Sequence, residues 1–239
     1  MTRPRERRRR RRSTRRSLVV ACSIAGSALA PAGWAGAQTD RPVYETDFAD
    51  PASASTEWEL PDGATEETGD GYSLALTPGA LQVTLDGAKN LWLSPELRRL
   101  PANQYVEATI GTFAGDESEL GGVVCRGSLD DDLGYAFLLG FDGYYTIADF
   151  SGKGARKLVN KGGDTTGAVG PVGPNVVRGE CTSIGGGKVR LTMYVNGEKV
   201  ASAVDPSPAK VGPGAYLLTE VAPDSVADLT YTSFAVGSI

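Results

Sequence analysis

The sequence contains no histidine and only three cysteines among its 239 residues. Without an imidazole group the chain has no Ser-His-Asp triad, no Cys-His pair and no histidine general base. The missing histidines and the small number of thiols also argue against a zinc site. A large share of hydrolase chemistry is therefore excluded before any motif is considered.

Motifs that bind phosphate or nucleic acid are missing as well. Glycine clusters such as Gly185-Gly186-Gly187 follow predicted strands and do not open a helix, which a phosphate-binding loop requires. Of the 24 basic and 29 acidic residues, ten arginines and one acid fall in the first 37 positions. The remainder keeps 14 basic and 28 acidic residues, a net charge near −14. This charge repels polyanions, so no nucleic-acid partner is expected.

Residues 1–37 have the pattern of an export signal. An arginine-rich start is followed by a run of small and apolar residues, and Ala35-Gly36-Ala37 offers a cleavage site before Gln38. The pair Arg15-Arg16 resembles a twin-arginine signal, so both the general and the twin-arginine export routes stay open. The sequence therefore predicts a protein that is secreted or otherwise located outside the cytoplasm.

Two alternatives to full secretion remain at the N-terminus. Cys22 follows a lipobox-like Val-Val-Ala, but the apolar run before it is shorter than usual for a signal, so lipidation is the minor reading. An uncleaved anchor is less favoured, because glycine, serine and proline dilute the apolar stretch. No stable membrane insertion is expected after cleavage.

After a linker at 38–43, residues 44–239 are predicted to form one all-β domain. Segments such as Lys188–Val195 alternate between apolar and polar residues with a period of two, which is typical of strands with one buried face. Asn196-Gly197 and Asp142-Gly143 are strong hairpin signals. The spacing of strands and turns favours two antiparallel sheets in a sandwich. The one predicted helix is a short turn at Ser94–Leu97.

The stretch GGVVCRGSLDDDLGYAFLLGFDGYYTIADF at 121–150 resembles a signature of concanavalin-like jelly rolls in exported bacterial proteins. The later segments GECTS, LTMYVNGEKVASAVD and GPGAYLL fit the same pattern, so the resemblance spans roughly 44–236. Related domains include laminin G-like modules and the 3-keto-disaccharide hydrolase domain. The resemblance implies a jelly-roll sandwich whose concave face holds ligands.

Cys125 and Cys181 are the two cysteines that follow the signal. In an oxidising compartment such a pair usually forms one disulfide, with two buried thiols as the alternative. The resemblance favours the disulfide, because matching domains place cysteines on the same two strands.

The acidic clusters are weak site candidates. Glycoside hydrolysis needs two carboxylates about 5 to 9 Å apart. The closest pattern is Asp116-Glu117-Ser118-Glu119, but it lies in a glycine-flanked loop and is better interpreted as a solvated turn. Asp130 and Asp132 are weak calcium candidates, because a loop could offer two carboxylate ligands. Apart from this calcium possibility, no cofactor and no catalytic residue is predicted.

Four residues are candidate ligand contacts: Trp92, Arg126, Tyr135 and Tyr144. If Cys125 points into the core, Arg126 points out, towards the concave face, where it could bind a carboxylate or sugar hydroxyls. An ion pair with Asp130 or Asp142 is favoured over this ligand contact. Trp92 and Tyr144 are rings on which a sugar could stack, although tryptophan in a sandwich is more often a core residue. Tyr135 is the tyrosine of the Tyr-x-Phe strand in the stretch that resembles the concanavalin-like signature.

These observations lead to a main hypothesis with two rivals. The main hypothesis is an exported, non-catalytic jelly-roll module that binds carbohydrate or another cell-surface ligand. The first rival is a glycan-cleaving enzyme of the keto-disaccharide hydrolase or glucanase kind, which two facing acidic side chains would support. The second is a structural or protein-interaction domain.

Overall fold

The computed structural model of the protein describes residues 42–58, 60, 66–87, 89–95, 97, 100–114, 119–129, 133–151, 154–160, 162–170, 173–208 and 212–239. The predicted export signal, its cleavage site and Cys22 lie outside these residues, and so do Asp130 and Asp132. No helix in the described part is long and apolar enough to cross a membrane.

The described residues form one short helix and fifteen strands. In chain order these elements are β1 (Pro42–Thr46), α1 (Pro51–Glu57), β2 (Glu66–Gly69), β3 (Tyr72–Thr77), β4 (Ala80–Asp86), β5 (Lys89–Leu93), β6 (Gln104–Phe113), β7 (Leu120–Ser128), β8 (Leu133–Gly140), β9 (Tyr145–Ser151), β10 (Ala155–Val159), β11 (Asn175–Ser183), β12 (Val189–Val195), β13 (Glu198–Asp205), β14 (Gly214–Val221) and β15 (Val226–Ser238).

The strands form two antiparallel sheets that pack face to face, as the sequence predicts for a jelly-roll sandwich. The nine-stranded sheet has the order β13-β12-β11-β6-β15-β4-β3-β2, and β1 pairs with the second half of β15. The six-stranded sheet has the order β10-β9-β8-β7-β14-β5. Because β7 and β14 lie side by side although they are distant in the chain, the six-stranded sheet brings together segments that the sequence keeps far apart.

Both predicted hairpins are confirmed. Asn196-Gly197 joins β12 to β13 with positive φ angles of 51° and 80°, as a tight hairpin turn requires. Asp142-Gly143 lies in the turn between β8 and β9, and the Asp142 carboxylate accepts a hydrogen bond from the Tyr144 amide at 2.7 Å. The alternation in β12 is also as predicted, because Val189, Leu191, Met193 and Val195 are all buried.

The predicted helix at Ser94–Leu97 is wrong for the residues that the structure describes there. Ser94 and Pro95 are not helical, and the Ser94 hydroxyl donates to the carbonyl of Ala215 at 3.0 Å, which ties it to β14. The observed helix, α1, begins after Asp50, whose carboxylate accepts from the Ala52 amide at 3.2 Å, and it has proline at its start. Its seven residues are too few to show a helical hydrophobic period.

A disulfide between Cys125 and Cys181 joins the two sheets, as the resemblance implies. Cys125 lies on β7 of the six-stranded sheet and Cys181 on β11 of the nine-stranded sheet, and both side chains are fully buried. The bond connects positions 56 residues apart in the chain. It therefore joins the two facing sheets across the core, between strands that are far apart in the chain.

Replacing both cysteines, Cys125→Ala/Cys181→Ala, is expected to lower the free energy of unfolding by about 4 kcal/mol, because a cross-link over so long a loop restricts the unfolded chain. Urea unfolding followed by circular dichroism measures the change. A reductant should bring the unaltered protein down to the stability of the variant and leave the variant unaffected. Equal stability of the two proteins would contradict a stabilising disulfide.

Candidate functional site

The face of the six-stranded sheet that points away from the nine-stranded sheet, called the outer face below, is unusually apolar. Its alternate residues form a second hydrophobic cluster, separate from the core between the sheets. The members are Val124, Ala136, Leu138, Ala148, Phe150, Tyr216 and Leu218, with Trp92 and Leu120 packed against them. A sheet with apolar side chains on both faces must cover the second face by some other means.

The six-stranded sheet covers its outer face by curling. The ring of Trp92 on β5 lies 5.2 Å from that of Phe150 on β9, and 5.6 Å from that of Tyr216. Three strands separate β5 from β9, so a flat sheet would place them roughly 19 Å apart, at about 4.8 Å per spacing. A tryptophan and a phenylalanine side chain are too short to bridge that distance. The outer face is therefore concave.

Three aromatic rings fill one end of this concave face. A side chain at Gly127 or Gly214 would collide with the ring of Tyr216 that lies over them. A side chain at Gly134 would come within 3.5 Å of Trp92. Trp92 is thus partly a packing residue, although some of it stays exposed. Trp58, the other tryptophan in the described part of the chain, is a core residue beside Phe234.

Polar groups lie at the opposite end of the concave face. Lys157 on β10 pairs with Ala148 of the outer cluster, so its side chain is on this face. Its ammonium group donates to the Tyr144 hydroxyl at 2.7 Å and lies 5.1 Å from the centre of the Tyr144 ring. Tyr145, next in the chain, instead packs against the main core. The two neighbouring tyrosines therefore point in opposite directions, as alternation along a strand requires.

Glu220 is the acidic group of the concave face. It lies on β14 opposite Asn90 and Leu120, and it alternates with Tyr216 and Leu218 of the outer cluster. No hydrogen bond or ion pair to its carboxylate occurs among the residues that the structure describes. Burial raises the pKa of Glu220, and the positive charge of Lys157 partly offsets this rise.

Paired carboxylates are not found on this face. The outward positions of β8, in the middle of the sheet, are Gly134, Ala136, Leu138 and Gly140. Along all six strands, within the described part of the chain, Glu220 is the one acidic residue at an outward position. The charged and aromatic groups that the face offers are therefore the carboxylate of Glu220, the ammonium group of Lys157, the phenol of Tyr144 and the indole edge of Trp92.

Arg126 does not lie on the concave face, contrary to the prediction from strand alternation. Residues 126 and 127 form a bulge in β7, where Cys125 pairs with Tyr135 and Ser128 with Leu133, and Arg126 has a positive φ of 53°. The bulge turns the side chain towards the other sheet. Its Nη2 donates to the Ala102 carbonyl at 2.6 Å and to the Ser183 hydroxyl at 2.7 Å.

The favoured prediction for Arg126, an ion pair with Asp130 or Asp142, also finds no support among the described residues. Asp142 is an exposed turn residue whose carboxylate accepts from Tyr144, and Asp130 lies outside the described residues. Arg126 is only 9% exposed, and burial lowers its pKa. Arg126 could therefore contact a ligand only from its position between the two sheets.

Tyr135 is fully buried in a polar cluster between the sheets. Its hydroxyl donates to Asp205 at 2.8 Å, and burial, followed by this hydrogen bond, raises the pKa of Tyr135. Arg156 bonds to Asp149 at 2.7 Å and lies 3.6 Å from Asp205, so both carboxylates share one guanidinium. Because Asp205 is on the nine-stranded sheet and the other members are on the six-stranded sheet, the cluster fastens the two sheets together.

The four candidate ligand contacts therefore divide between two places. Trp92 and Tyr144 lie at opposite ends of the concave face, whereas Arg126 and Tyr135 lie between the sheets. Lys157 and Glu220 were missed by the sequence analysis. The residues next to them in the sequence do not mark either one as a site residue. Only the order of strands in the sheet brings β10 and β14 to one concave surface.

A cavity of about 590 Å³ lies on the other side of the molecule, between α1, β1 and the nine-stranded sheet. Five carboxylates line it and no basic side chain does: Glu45, Asp47, Asp50, Glu57 and Glu107. Neither these five nor any other acidic or thiol side chains in the described part of the chain form a group of three or more with a metal-binding arrangement. The calcium prediction for Asp130 and Asp132 stays a prediction.

Substituting Tyr135→Phe is expected to destabilise the fold by about 1–2 kcal/mol, because it leaves the buried Asp205 carboxylate without its hydroxyl donor. Chemical denaturation measures the difference. The matched control is Tyr145→Phe on the adjacent strand, whose hydroxyl makes no hydrogen bond among the described residues. If both variants lost the same stability, the hydrogen bond to Asp205 would contribute nothing specific.

Substituting Glu220→Gln is expected to stabilise the fold at pH 7. The pKa of Glu220 is raised in the folded protein, so the unaltered protein gains stability as the pH falls through that pKa and loses it as the pH rises. Glutamine has no charge to bury, so the advantage of the variant should shrink at acidic pH. Melting temperatures at a series of pH values test this; a variant that is less stable at pH 7 would contradict it.

No protein-family model and no curated protein matches the chain. Solved structures do match. The carbohydrate-binding module CBM66 from Bacillus subtilis is 18% identical with a TM-score of 0.53, over 73% of this chain and 96% of that one. A native glycosidic hydrolase is 11% identical with a TM-score of 0.53, over 84% and 97%.

The GH43 protein BlXynB from Bacillus licheniformis matches at 11% identity with a TM-score of 0.52, over 85% of this chain and 40% of its own. At such low identity these likenesses speak for the fold alone. The chain has the two-sheet concanavalin-like jelly-roll fold that carbohydrate-binding and glycoside hydrolase proteins also use.

Proposed function

We propose that this chain is an exported module that binds carbohydrate on the concave outer face of the six-stranded sheet and does not cleave it. One observation supports this more than any other. Glu220 presents a partly buried carboxylate to a concave, mostly apolar surface, and no donor among the described residues satisfies it. A ligand with hydrogen-bond donors would supply what the protein lacks.

The chemistry of the face suits a sugar. Sugar hydroxyls donate strong hydrogen bonds to an ionised carboxylate. Glu220 offers this acceptor, while the exposed parts of Trp92 and Tyr144 offer ring surface for the apolar face of a sugar ring. A concave, largely apolar site with a few fixed polar groups is typical of small-ligand binding.

A glycan-cleaving enzyme is the weaker proposal. Glycoside hydrolysis needs two carboxylates that both reach the scissile bond, and the concave face offers only Glu220 among the described residues. Asp149 and Asp205 do lie near each other, through Arg156, but they are only 3% and 1% exposed. A sugar cannot contact them without the two sheets separating.

A pure protein-interaction role has less support still. The large apolar side chains that are exposed in the described part belong to separate elements and loops: Val43, Leu129, Phe141, Val204 and Val226. They are distributed along the chain rather than concentrated in one strand or hairpin, which does not favour a single hydrophobic interface.

Export is part of the proposal. Its support is the arginine-rich start, the apolar run and the Ala-Gly-Ala motif. The disulfide agrees with it, because such bonds persist in oxidising compartments and are rare in the cytoplasm. The laminin G-like and 3-keto-disaccharide hydrolase relationships stay predictions, as do the calcium site and the choice of export route.

The proposal predicts that the purified, oxidised protein binds one or more members of a panel of cell-wall and plant polysaccharides and releases no reducing sugar. Glu220→Gln should weaken binding at least tenfold, because a charged hydrogen bond contributes about 1.5–3 kcal/mol. Tyr144→Phe should weaken it a few-fold by removing the hydroxyl. Affinity electrophoresis and a reducing-sugar assay provide the readouts.

Glu198→Gln is the matched control, because Glu198 is an exposed acid in the hairpin of the other sheet. It should bind like the unaltered protein. Released sugar would reverse the non-catalytic part of the proposal. Binding that Glu220→Gln and Tyr144→Phe leave unchanged would show that the concave face is not the site.

A further inference from the structure

We infer that the sugar bound on the concave face carries a free, positively charged amino group, as the glucosamine units of a deacetylated glycan do. The inference rests on the proposed function and names the class of ligand for the same site. It depends on the charges that face Glu220 and on the charge of the chain as a whole.

Glu220 is the starting point. Its carboxylate is partly buried on β14, beside Leu120 and near Leu218, and it accepts no hydrogen bond among the described residues. Removing an ionised group from water without a partner is unfavourable. An ammonium donor compensates a buried carboxylate better than a neutral hydroxyl, because charge-assisted hydrogen bonds are about twice as strong as neutral ones.

The protein does not supply that ammonium group itself. Lys157 is the one basic side chain on the outer face in the described part of the chain, and its Nζ is held by the Tyr144 hydroxyl at 2.7 Å, over the Tyr144 ring. It forms no ion pair with Glu220 among the described residues. The charge of Lys157 lowers the pKa of Glu220, but burial has the larger effect and raises it.

The net charge of the chain points to the same class of ligand. Residues 38–239 have a net charge near −14, with 14 basic and 28 acidic residues. Such a field attracts cations and repels polyanions. A glycan of uronic acids would be repelled both by the net negative charge and by the Glu220 carboxylate. An acetylated amino sugar is uncharged and would gain nothing from the net charge or from Glu220.

Lys157 provides an independent test, because its effect has the opposite sign. Its ammonium group lies on the same face and repels a cationic ligand. Lys157→Met keeps the aliphatic stem and removes the charge, so it should increase affinity for an amino sugar. If the ligand were neutral or anionic, the same substitution would leave binding unchanged or weaken it.

The experiment compares glucosamine and N-acetylglucosamine oligomers of equal length by isothermal titration calorimetry, at a pH where the free amine is protonated. The unaltered protein should bind the glucosamine oligomer at least tenfold more tightly. Glu220→Gln should abolish this preference, and Lys157→Met should enlarge it about twofold or more. Added salt should weaken binding of the glucosamine oligomer most. Melting curves confirm that both variants are folded.

A pH series adds a readout that a purely structural role would not change. Affinity for the glucosamine oligomer should fall at low pH as Glu220 takes up a proton, above the usual glutamate range because burial raises its pKa. It should fall again at high pH as the amine loses its proton. Lys157 is the charged group among the described residues whose field acts on Glu220.

The outcomes separate this inference from the proposed function. Equal or tighter binding of the acetylated oligomer, or a preference for neutral polysaccharides, overturns the inference and leaves carbohydrate binding in place. Preference for the amine that survives Glu220→Gln also overturns it, because the charge must then be recognised elsewhere. No binding of any glycan overturns both.

Discussion

The outer face of the six-stranded sheet has apolar side chains, but no helix or strand of the described residues covers it, and much of the architecture follows from this constraint. Val124, Ala136 and Leu138 are as well buried as the residues between the sheets. Curling of the sheet and the rings of Trp92 and Phe150 provide that burial. The concave shape is thus a consequence of an apolar outer face, and glycines along the strands make room for the rings.

The same constraint decides where a ligand has room. The rings occupy one end of the face, so polar groups can remain in contact with solvent only at the other end, where Tyr144, Lys157 and Glu220 lie. Glu220 there is unfavourable for stability because nothing described satisfies it. Binding residues often lower stability in this way, since a group that waits for a ligand is not optimised for the folded state.

The parts of the structure that depend on local sequence were predictable. Period-two alternation, the Asn196-Gly197 turn and the cysteine pair led to a disulfide-linked sandwich. The position of Arg126 was not predicted, because a bulge in β7 shifts the alternation of inward and outward side chains by one residue, and the alternation pattern of the sequence alone does not show it. The helix α1 was too short for a periodic pattern. Glu220 and Lys157 meet only through the strand order, which is a property of the whole sheet.

The acidic residues show how environment separates structural from binding roles. Asp149 and Asp205 lie buried between the sheets, where Arg156 contacts both and Tyr135 donates to Asp205, while Asp149 Oδ1 has no hydrogen-bond partner among the described residues. Glu220 is more exposed and accepts no hydrogen bond from any described residue. A pair of carboxylates is therefore present in this protein, but the fold uses it to hold the sheets together. Among the described residues, what remains on the concave face is a single carboxylate, whereas hydrolysis of a glycosidic bond by the two-carboxylate route requires a second one, and this favours the proposed binding role.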